Sequence, residues 1–321
     1  MGKGSFAVVF PGQGTQRPGM GKDFFDQLSV SRETYEEASD ALGWDIAALC
    51  FADNADELNL TAFCQPCILT TEIAMIRALA ERYGFSPSFY GGHSLGEFTA
   101  LVAADALPLS EAVRIVHRRG QLMQDAITPG VGTMAAVISD NLDSETLSRQ
   151  LDELPIDLAN INSIHQIVIS GLADAMPEAA EKVKEMFAEG QAFRFVPLNV
   201  RTPFHSRFMR PAEMQFEEVL RAVGKNLKPH NADGRVTSNY TGGFHNDRED
   251  DIIANLVHQV SNAVHWKDNM KHIVSRTDII YEVGPGRPLR DFFKTVDANC
   301  VSISSLKSAE RIFDQDHHQD S

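Results

Sequence analysis

Apolar and polar positions follow two periods along this chain, and the change from one to the other marks out its elements. Phe6-Ala7-Val8-Val9-Phe10 is an unbroken apolar run too short for a helix, and it reads as a buried strand. Pro11-Gly12-Gln13-Gly14 ends it with turn-forming residues. Two or three polar helices are expected up to about Asp56. Over 61–83 the pattern is helical: Ile68, Thr71, Met75, Ala78 and Leu79 recur three to four residues apart, and Gly84 stands where a helix-ending glycine is expected. Phe89-Tyr90-Gly91-Gly92-His93 reads as a short strand, 94–104 as a helix, and Pro108-Leu109-Ser110-Glu111 opens a further helix to about Ile127. Pro129-Gly130-Val131-Gly132 then breaks the chain.

Residues 133–200 have a rhythm of their own. Strands are predicted at 134–138, 156–159, 166–170 and 193–200, with helices at 143–151 and 174–187. That order, β-α-β-β-α-β, is the ferredoxin-like arrangement. We read 133–200 as a subdomain inserted into a discontinuous core formed by 1–132 and 201–308. The core resumes with a helix over 207–223, strand candidates at 235–239 and 278–283, helices between them, and a last strand near Val301. Interleaved strands and helices indicate an α/β fold. The segment 309–321 is polar and is expected to be a disordered tail. Neither repeats nor low-complexity tracts are seen.

A length of 321 residues suits about two domains at ~150 residues each, in keeping with an insertion. The 29 Lys and Arg against 44 Asp and Glu give a net charge of −15, which argues against a nucleic-acid binder and against attachment to an anionic membrane. Four cysteines are too few for a disulfide scaffold and suit a reducing compartment. The opening apolar run is too short for a signal peptide, and Phe6 stands where myristoylation needs Ser or Thr. The longest apolar stretch, from about Phe98 to Leu109, contains Asp105 and falls short of the ~20 residues a membrane span needs. A soluble cytoplasmic protein is expected.

The chemistry begins at Gly92-His93-Ser94-Leu95-Gly96, a G-x-S-x-G pattern between a predicted strand and a predicted helix. A nucleophilic hydroxyl must project from a tight turn there, and glycines two residues to either side relieve the crowding. The helix N-terminus beyond Ser94 favours a developing oxyanion. A serine nucleophile needs a base, and spacing alone does not single one out among 11 histidines. His205 lies just after the predicted subdomain and ahead of a helix. His93 is a poor candidate, because consecutive residues at such a turn point apart.

Pro11-Gly12-Gln13-Gly14, Gly92-His93-Ser94-Leu95-Gly96-Glu97, Arg119-Gly120 with Met123-Gln124, Phe204-His205-Ser206, and Glu282-Val283-Gly284-Pro285-Gly286 occur in that order. In this the chain resembles the malonyl-CoA:acyl-carrier-protein transacylase family, which includes acyltransferases of polyketide synthases. The resemblance spans roughly residues 6–305. It implies an α/β-hydrolase-like core with an inserted ferredoxin-like subdomain, and a ping-pong acyl transfer in fatty-acid or polyketide biosynthesis. Ser94 would take malonyl from malonyl-CoA as an ester. His205 would accept the Ser94 proton and later activate the phosphopantetheine thiol of an acyl carrier protein. The backbone N–H groups of Gln13 and Leu95 would form the oxyanion hole. Arg119 would grip the free carboxylate with its planar guanidinium, with Gln65 lining the same pocket. A carbonyl in the stretch 259–262, Gln259 first, would orient the histidine in place of a triad acid. Phe204 before the base, with Leu95 after the nucleophile, would favour malonyl over an α-methyl acyl group. The family needs no metal or tightly bound cofactor and is usually monomeric.

The chain departs from the family's common pattern at Arg207-Phe208-Met209, which is similar to discrete, trans-acting acyltransferases of polyketide assembly lines, at Ala263 in place of a proline, and at Thr202-Pro203. Carrier proteins of the kind implied are acidic, so Lys182, Lys184, Arg207 and Arg210 are candidate docking cations. A serine hydrolase that clears acyl groups from carrier proteins is the second reading. It shares Ser94 and His205 but has no use for Arg119. The remaining signals carry little. Cys64-Gln65-Pro66-Cys67 has no second pair, His317-His318 sits in the polar tail, Asn239-Tyr240-Thr241 is an unused sequon, and Gly12-x-Gly14 lacks the third glycine of a dinucleotide site.

Overall fold

The computed structural model describes residues 4–53 and 55–314. Along the chain come β1 (Ala7–Phe10), α1 (Lys22–Gln27), α2 (Ser29–Leu42), α3 (Ile46–Phe51) and α4 (Thr61–Tyr83), then β2 (Phe89–Gly92), α5 (Leu95–Ala103) and α6 (Leu109–Asp125). Next are β3 (Gly132–Ser139), α7 (Ser144–Gln150), β4 (Ile156–Ile161), β5 (Gln166–Leu172), α8 (Met176–Glu185) and β6 (Phe193–Pro197). The chain closes with α9 (Arg210–Val223), α10 (Pro229–Ala232), α11 (Glu249–His258), α12 (Trp266–Val274), β7 (Ile280–Val283), α13 (Arg290–Phe293), β8 (Cys300–Ile303) and α14 (Leu306–Phe313).

Two sheets organise these elements. The first is wholly parallel, in the order β2-β1-β7-β8. Its central strand β1 is buried at every position, as an unbroken apolar run between two layers of helices must be. Phe10 pairs with Gly92, so β1 and β2 end level with each other, and the His93 N–H donates to the Phe10 carbonyl at 3.0 Å. The turn after β1 and the turn after β2 therefore lie side by side at the carboxyl edge of the sheet, where open α/β sheets place their ligand crevice.

The second sheet has the order β4-β5-β3-β6, with every pairing antiparallel. With α7 and α8 on one face it is the ferredoxin-like arrangement that the sequence predicts, inserted between α6 and α9. Its helical side has its own core around Val137, Leu147, Ile169 and Val183. The opposite face carries Met134, Ala136, Ala159 and Val168, packed with Leu198, Val200 and Phe204. Ile161 N–H donates to the Val264 carbonyl and Val264 N–H to the Ala159 carbonyl, each at 2.9 Å, which ties this sheet to the core beside His205.

Helix α4 is apolar around its whole circumference and correspondingly buried, as such a helix must be in a large core. Among the described residues it is the one helix long and apolar enough to cross a membrane, and 89% of that window is packed inside the protein. The longest membrane-like stretch is thus this core helix and not 98–109. Gly84 ends it in the left-handed conformation, at φ 64°.

Two expectations are corrected. Residues 309–313 are not a disordered tail but belong to α14, with Leu306, Ala309 and Phe313 buried and Ser305 capping the first turn. The predominantly polar composition hides an amphipathic stripe at i, i+3 and i+7, and burying Phe313 alone is worth about 1.5–3 kcal/mol. Residues 315–321, with His317-His318, lie outside the described residues. The strand candidate at 235–239 forms only isolated bridges, Val236 to Tyr90 and Thr237 to Phe244. Its side chains serve polar contacts near Ser94 instead of a ladder.

Candidate active site

Ser94 sits on the turn between β2 and α5 with φ 54° and ψ −103°, a conformation that L-residues rarely adopt. The flanking glycines permit it. A Cβ on Gly92 would fall inside the backbone of Gly96, and one on Gly96 would meet the Phe10 carbonyl. Strain of this kind costs roughly 1–3 kcal/mol and survives only where the surroundings enforce it. Here Asn239 does so: its Oδ1 accepts from the Ser94 N–H at 2.6 Å, and its Nδ2 donates to the Gly92 carbonyl at 2.7 Å.

The Ser94 hydroxyl lies 2.8 Å from Nε2 of His205. On the other side of the ring, Nδ1 lies 2.7 Å from the Gln259 carbonyl oxygen. A carbonyl can only accept, so Nδ1 carries the proton and Nε2 turns its lone pair toward Ser94. Burial, and then the positive charge of Arg119, push the His205 pKa down to about 3. The imidazole is neutral at physiological pH, as a base must be before it receives a proton.

Arg119 is 1% exposed, the largest charged side chain in the interior. The residue after it explains how α6 brings it in. A Cβ on Gly120 would meet the Thr61 carbonyl of α4 at 2.6 Å, so only glycine lets the helices approach this closely. The guanidinium donates from Nη1 to Gln65 Oε1 at 3.0 Å, and from Nη2 to Gln259 Oε1 at 2.7 Å and Ser94 Oγ at 3.2 Å. Its Nε is buried without a partner. Burial pushes its pKa down to about 10 against the opposing pull of Glu97, which leaves it charged at pH 7. Arg118, one residue earlier on the helix, is exposed.

A cavity of about 530 Å³ opens onto these groups. Gln13, from the turn after β1, and Leu95, the first residue of α5, both line it beside Ser94. The N–H of Leu95 belongs to the open N-terminal turn of a helix, whose first donors have no carbonyl partner within it. Gln65 and Phe204 line the same cavity, with Met134 and Val200 of the antiparallel-sheet side against Phe204. Every residue expected at the site from the sequence thus reaches this cavity or, for Gln259, contacts the groups that line it. His93 is engaged with Asn162, 2.8 Å from its Nε2, and is not the partner of Ser94.

Sequence reasoning missed the layer behind this site. Glu97, Asn239 and His245 are fully or almost fully buried and join Gln259 and Ser94 in one polar network. A signal for Glu97 was present, as the lone charge in the apolar helix Leu95–Ala103. Asn239 and His245 lie in irregular backbone and had none. The candidate docking cations are largely occupied: Arg207 pairs with Asp157, Lys182 with Glu153 and Lys184 with Glu181. Cys64 and Cys67 are free and buried, and no metal-binding cluster exists among the described residues.

An α/β core with a strained serine at a strand-to-helix turn, a neutral histidine on its hydroxyl and a cation at its side defines a nucleophilic-serine enzyme that handles acyl groups. More particularly, the chain belongs to the acyl transferase domain family, whose model matches residues 7–287. It is 37% identical to the malonyl CoA-acyl carrier protein transacylase of Bacillus subtilis over 304 residues, covering 93% of this chain and 92% of that one. The Staphylococcus aureus enzyme of the same name is 35% identical over 310 residues, with 95% and 96% covered. The crystal structure of the Clostridium perfringens transacylase superposes with a TM-score of 0.87 at 33% identity, over 99% of this chain and 98% of that one. A malonyl-transacylase solved with a type II PKS acyl-carrier protein matches with a TM-score of 0.86 at 32% identity, over 97% of this chain and all of that one.

Proposed function

We propose that this chain transfers a malonyl group from malonyl-CoA to the phosphopantetheine thiol of an acyl carrier protein, through an ester on Ser94. In the first half, the Ser94 hydroxyl proton passes to His205 Nε2 as Oγ attacks the thioester carbon. The tetrahedral oxyanion is held by the N–H groups of Gln13 and Leu95. Collapse expels the CoA thiolate, which takes the proton back from His205. In the second half the carrier thiol gives its proton to His205 and attacks the Ser94 ester, and serine leaves with that proton. Ser94 and His205 account for every proton in this cycle, and the backbone N–H groups and Arg119 for its negative charges, so no metal or bound cofactor is invoked. In this reading the enzyme acts in the cytoplasm as a monomer.

The observation that carries the proposal is the buried guanidinium of Arg119, 3.2 Å from the nucleophile. A desolvated cation beside the reacting oxygen suits an acyl group that ends in a carboxylate. A hydrolase of simple acyl chains gains nothing from it. Arg119→Ala is therefore expected to slow malonylation by about 10²- to 10³-fold, the equivalent of ~3–4 kcal/mol, within the range for an unpaired buried charge, and to leave acetylation nearly unchanged. The test is intact mass after brief mixing with malonyl-CoA or acetyl-CoA, followed by addition of a phosphopantetheinylated carrier protein. A malonyl-sized adduct that moves to the carrier supports the transferase. An adduct that prefers acetyl, or that turns over to free acid without a carrier, supports the hydrolase.

The wall formed by Phe204, Met134 and Val200 supports selection against an α-methyl branch. Phe204→Ser is expected to raise the methylmalonyl-to-malonyl ratio of kcat/KM by about 10-fold or more, within the ~1–3 kcal/mol that one methyl group commands. A competition assay with both thioesters reads this out, and an unchanged ratio would place the selective contact elsewhere.

A further inference from the structure

Glu97 is a buried carboxylate that the transfer cycle does not use. It lies in the first turn of α5, with no exposed surface. Its Oε2 accepts from the Gln259 side-chain amide at 2.6 Å and from the Asn239 N–H at 2.9 Å. Its Oε1 lies 2.8 Å from His245 Nε2, and the Asn255 amide donates to Nδ1 of that ring, which places the ring proton on Nε2, toward Glu97.

The consequence falls on Gln259. A carboxylate can only accept, so the Gln259 amide must turn its NH₂ to Glu97 and its oxygen the other way. That oxygen is the one that receives Arg119 Nη2 at 2.7 Å. The same NH₂ also donates to the Ser94 carbonyl at 3.1 Å. Glu97 thus sets the orientation of the amide that anchors the guanidinium, and it is the buried negative charge facing Arg119 across one neutral bridge. Through Asn239 it also supports the Ser94 turn, so part of its effect is shared by all acyl groups and part concerns only those that need Arg119.

We propose that Glu97 is a positioning residue for the transfer: by orienting Gln259 it holds Arg119 where a carboxylated acyl group is received. This rests on the reading of Arg119 as the carboxylate ligand. The isosteric Glu97→Gln preserves volume but replaces one carboxylate oxygen with an NH₂, so with the ring tautomer unchanged the His245 N–H and the Gln259 NH₂ can no longer both be accepted and the Gln259 amide loses its fixed anchor.

The experiment measures kcat and KM for Ser94 acylation by malonyl-CoA and by acetyl-CoA, in wild type, Glu97→Gln and Arg119→Ala. With Glu97→Gln, kcat/KM for malonyl-CoA is expected to fall about 10- to 100-fold, the scale for a displaced binding group, while acetyl-CoA changes less than about threefold. The malonyl-to-acetyl ratio collapses toward that of Arg119→Ala. Equal losses for both thioesters would show a purely structural role, and unchanged kcat/KM for both would show no role; either overturns the proposal. If Glu97→Gln does not fold, Gln259→Met removes the bridge and keeps the carbonyl that holds His205. The same collapse is expected, and an intact ratio overturns the proposal. If Arg119→Ala itself leaves the wild-type ratio unchanged, the reading of Arg119 fails first.

Discussion

Ser94→Ala is expected to give no acyl adduct with any thioester and to lower carrier malonylation by on the order of 10⁴-fold or more, as removal of a nucleophile does in serine enzymes. The reason is that the ping-pong route has no intermediate without the Ser94 oxygen, which lies 2.8 Å from His205 Nε2, and among the described residues no other hydroxyl hydrogen-bonds to that nitrogen. Intact mass and a discontinuous transfer assay check it, and an adduct of undiminished yield would exclude Ser94 as the nucleophile. The same position yields a stability readout. Its φ of 54° is a strained conformation that glycine adopts more easily. Ser94→Gly should thus be as inactive as Ser94→Ala yet more stable than it by about 1–2 kcal/mol, seen as a higher Tm. Catalysis and stability should move in opposite directions there.

His205→Ala is expected to slow Ser94 acylation by about 10³- to 10⁴-fold while leaving the fold intact. The base must be unprotonated to act, and burial with Arg119 pushes its pKa down to about 3 from the usual histidine value of 6.5. The wild-type acylation rate should therefore stay nearly flat from pH 7 to pH 5, where an ordinary histidine base would lose activity more than tenfold. The sign for stability is the reverse. Below about pH 6.5 the unfolded chain takes up a proton that the buried imidazole refuses, so His205 destabilises the fold progressively as pH falls from 6.5 toward 3. Thermal denaturation of wild type and His205→Ala across that window should show a smaller acid loss in the variant. A rate that falls steeply with a midpoint near 6.5 would mean that His205 is more open to water than its 5% exposure indicates.

Much of the fold was legible because the signals are local. The run from Phe6 to Phe10 can only be buried, and the period over Thr61–Tyr83 and its closing Gly84 give α4 its bounds. The β-α-β-β-α-β rhythm of the second sheet came from the alternation of its own segments. Legibility failed where the deciding contact is distant. The polar end of the chain conceals α14, because Ala309 and Phe313 are recognised as core only once β8 and α4 offer a surface to cover. The segment 235–239 has strand-like residues, yet it forms only isolated bridges and its Asn239 is bonded to the Ser94 turn.

For the candidate site the division is similar. Residues alone made the nucleophile legible, a serine between glycines that tolerate its turn; Arg119 and His205 stood out only through the family resemblance, and the role of Gly120 in letting two helices touch only in the structure. The serine turn is a backbone requirement written in adjacent residues. Only the tertiary structure decided that His205, 111 residues from Ser94, meets it at 2.8 Å, and that Gln259 serves the histidine with its backbone and Arg119 with its side chain. It alone also brought Glu97, Asn239 and His245 together behind them. The physical reason is desolvation. A charge or imidazole acquires its working state from what surrounds it, and that surrounding is assembled from residues that have no relation along the chain.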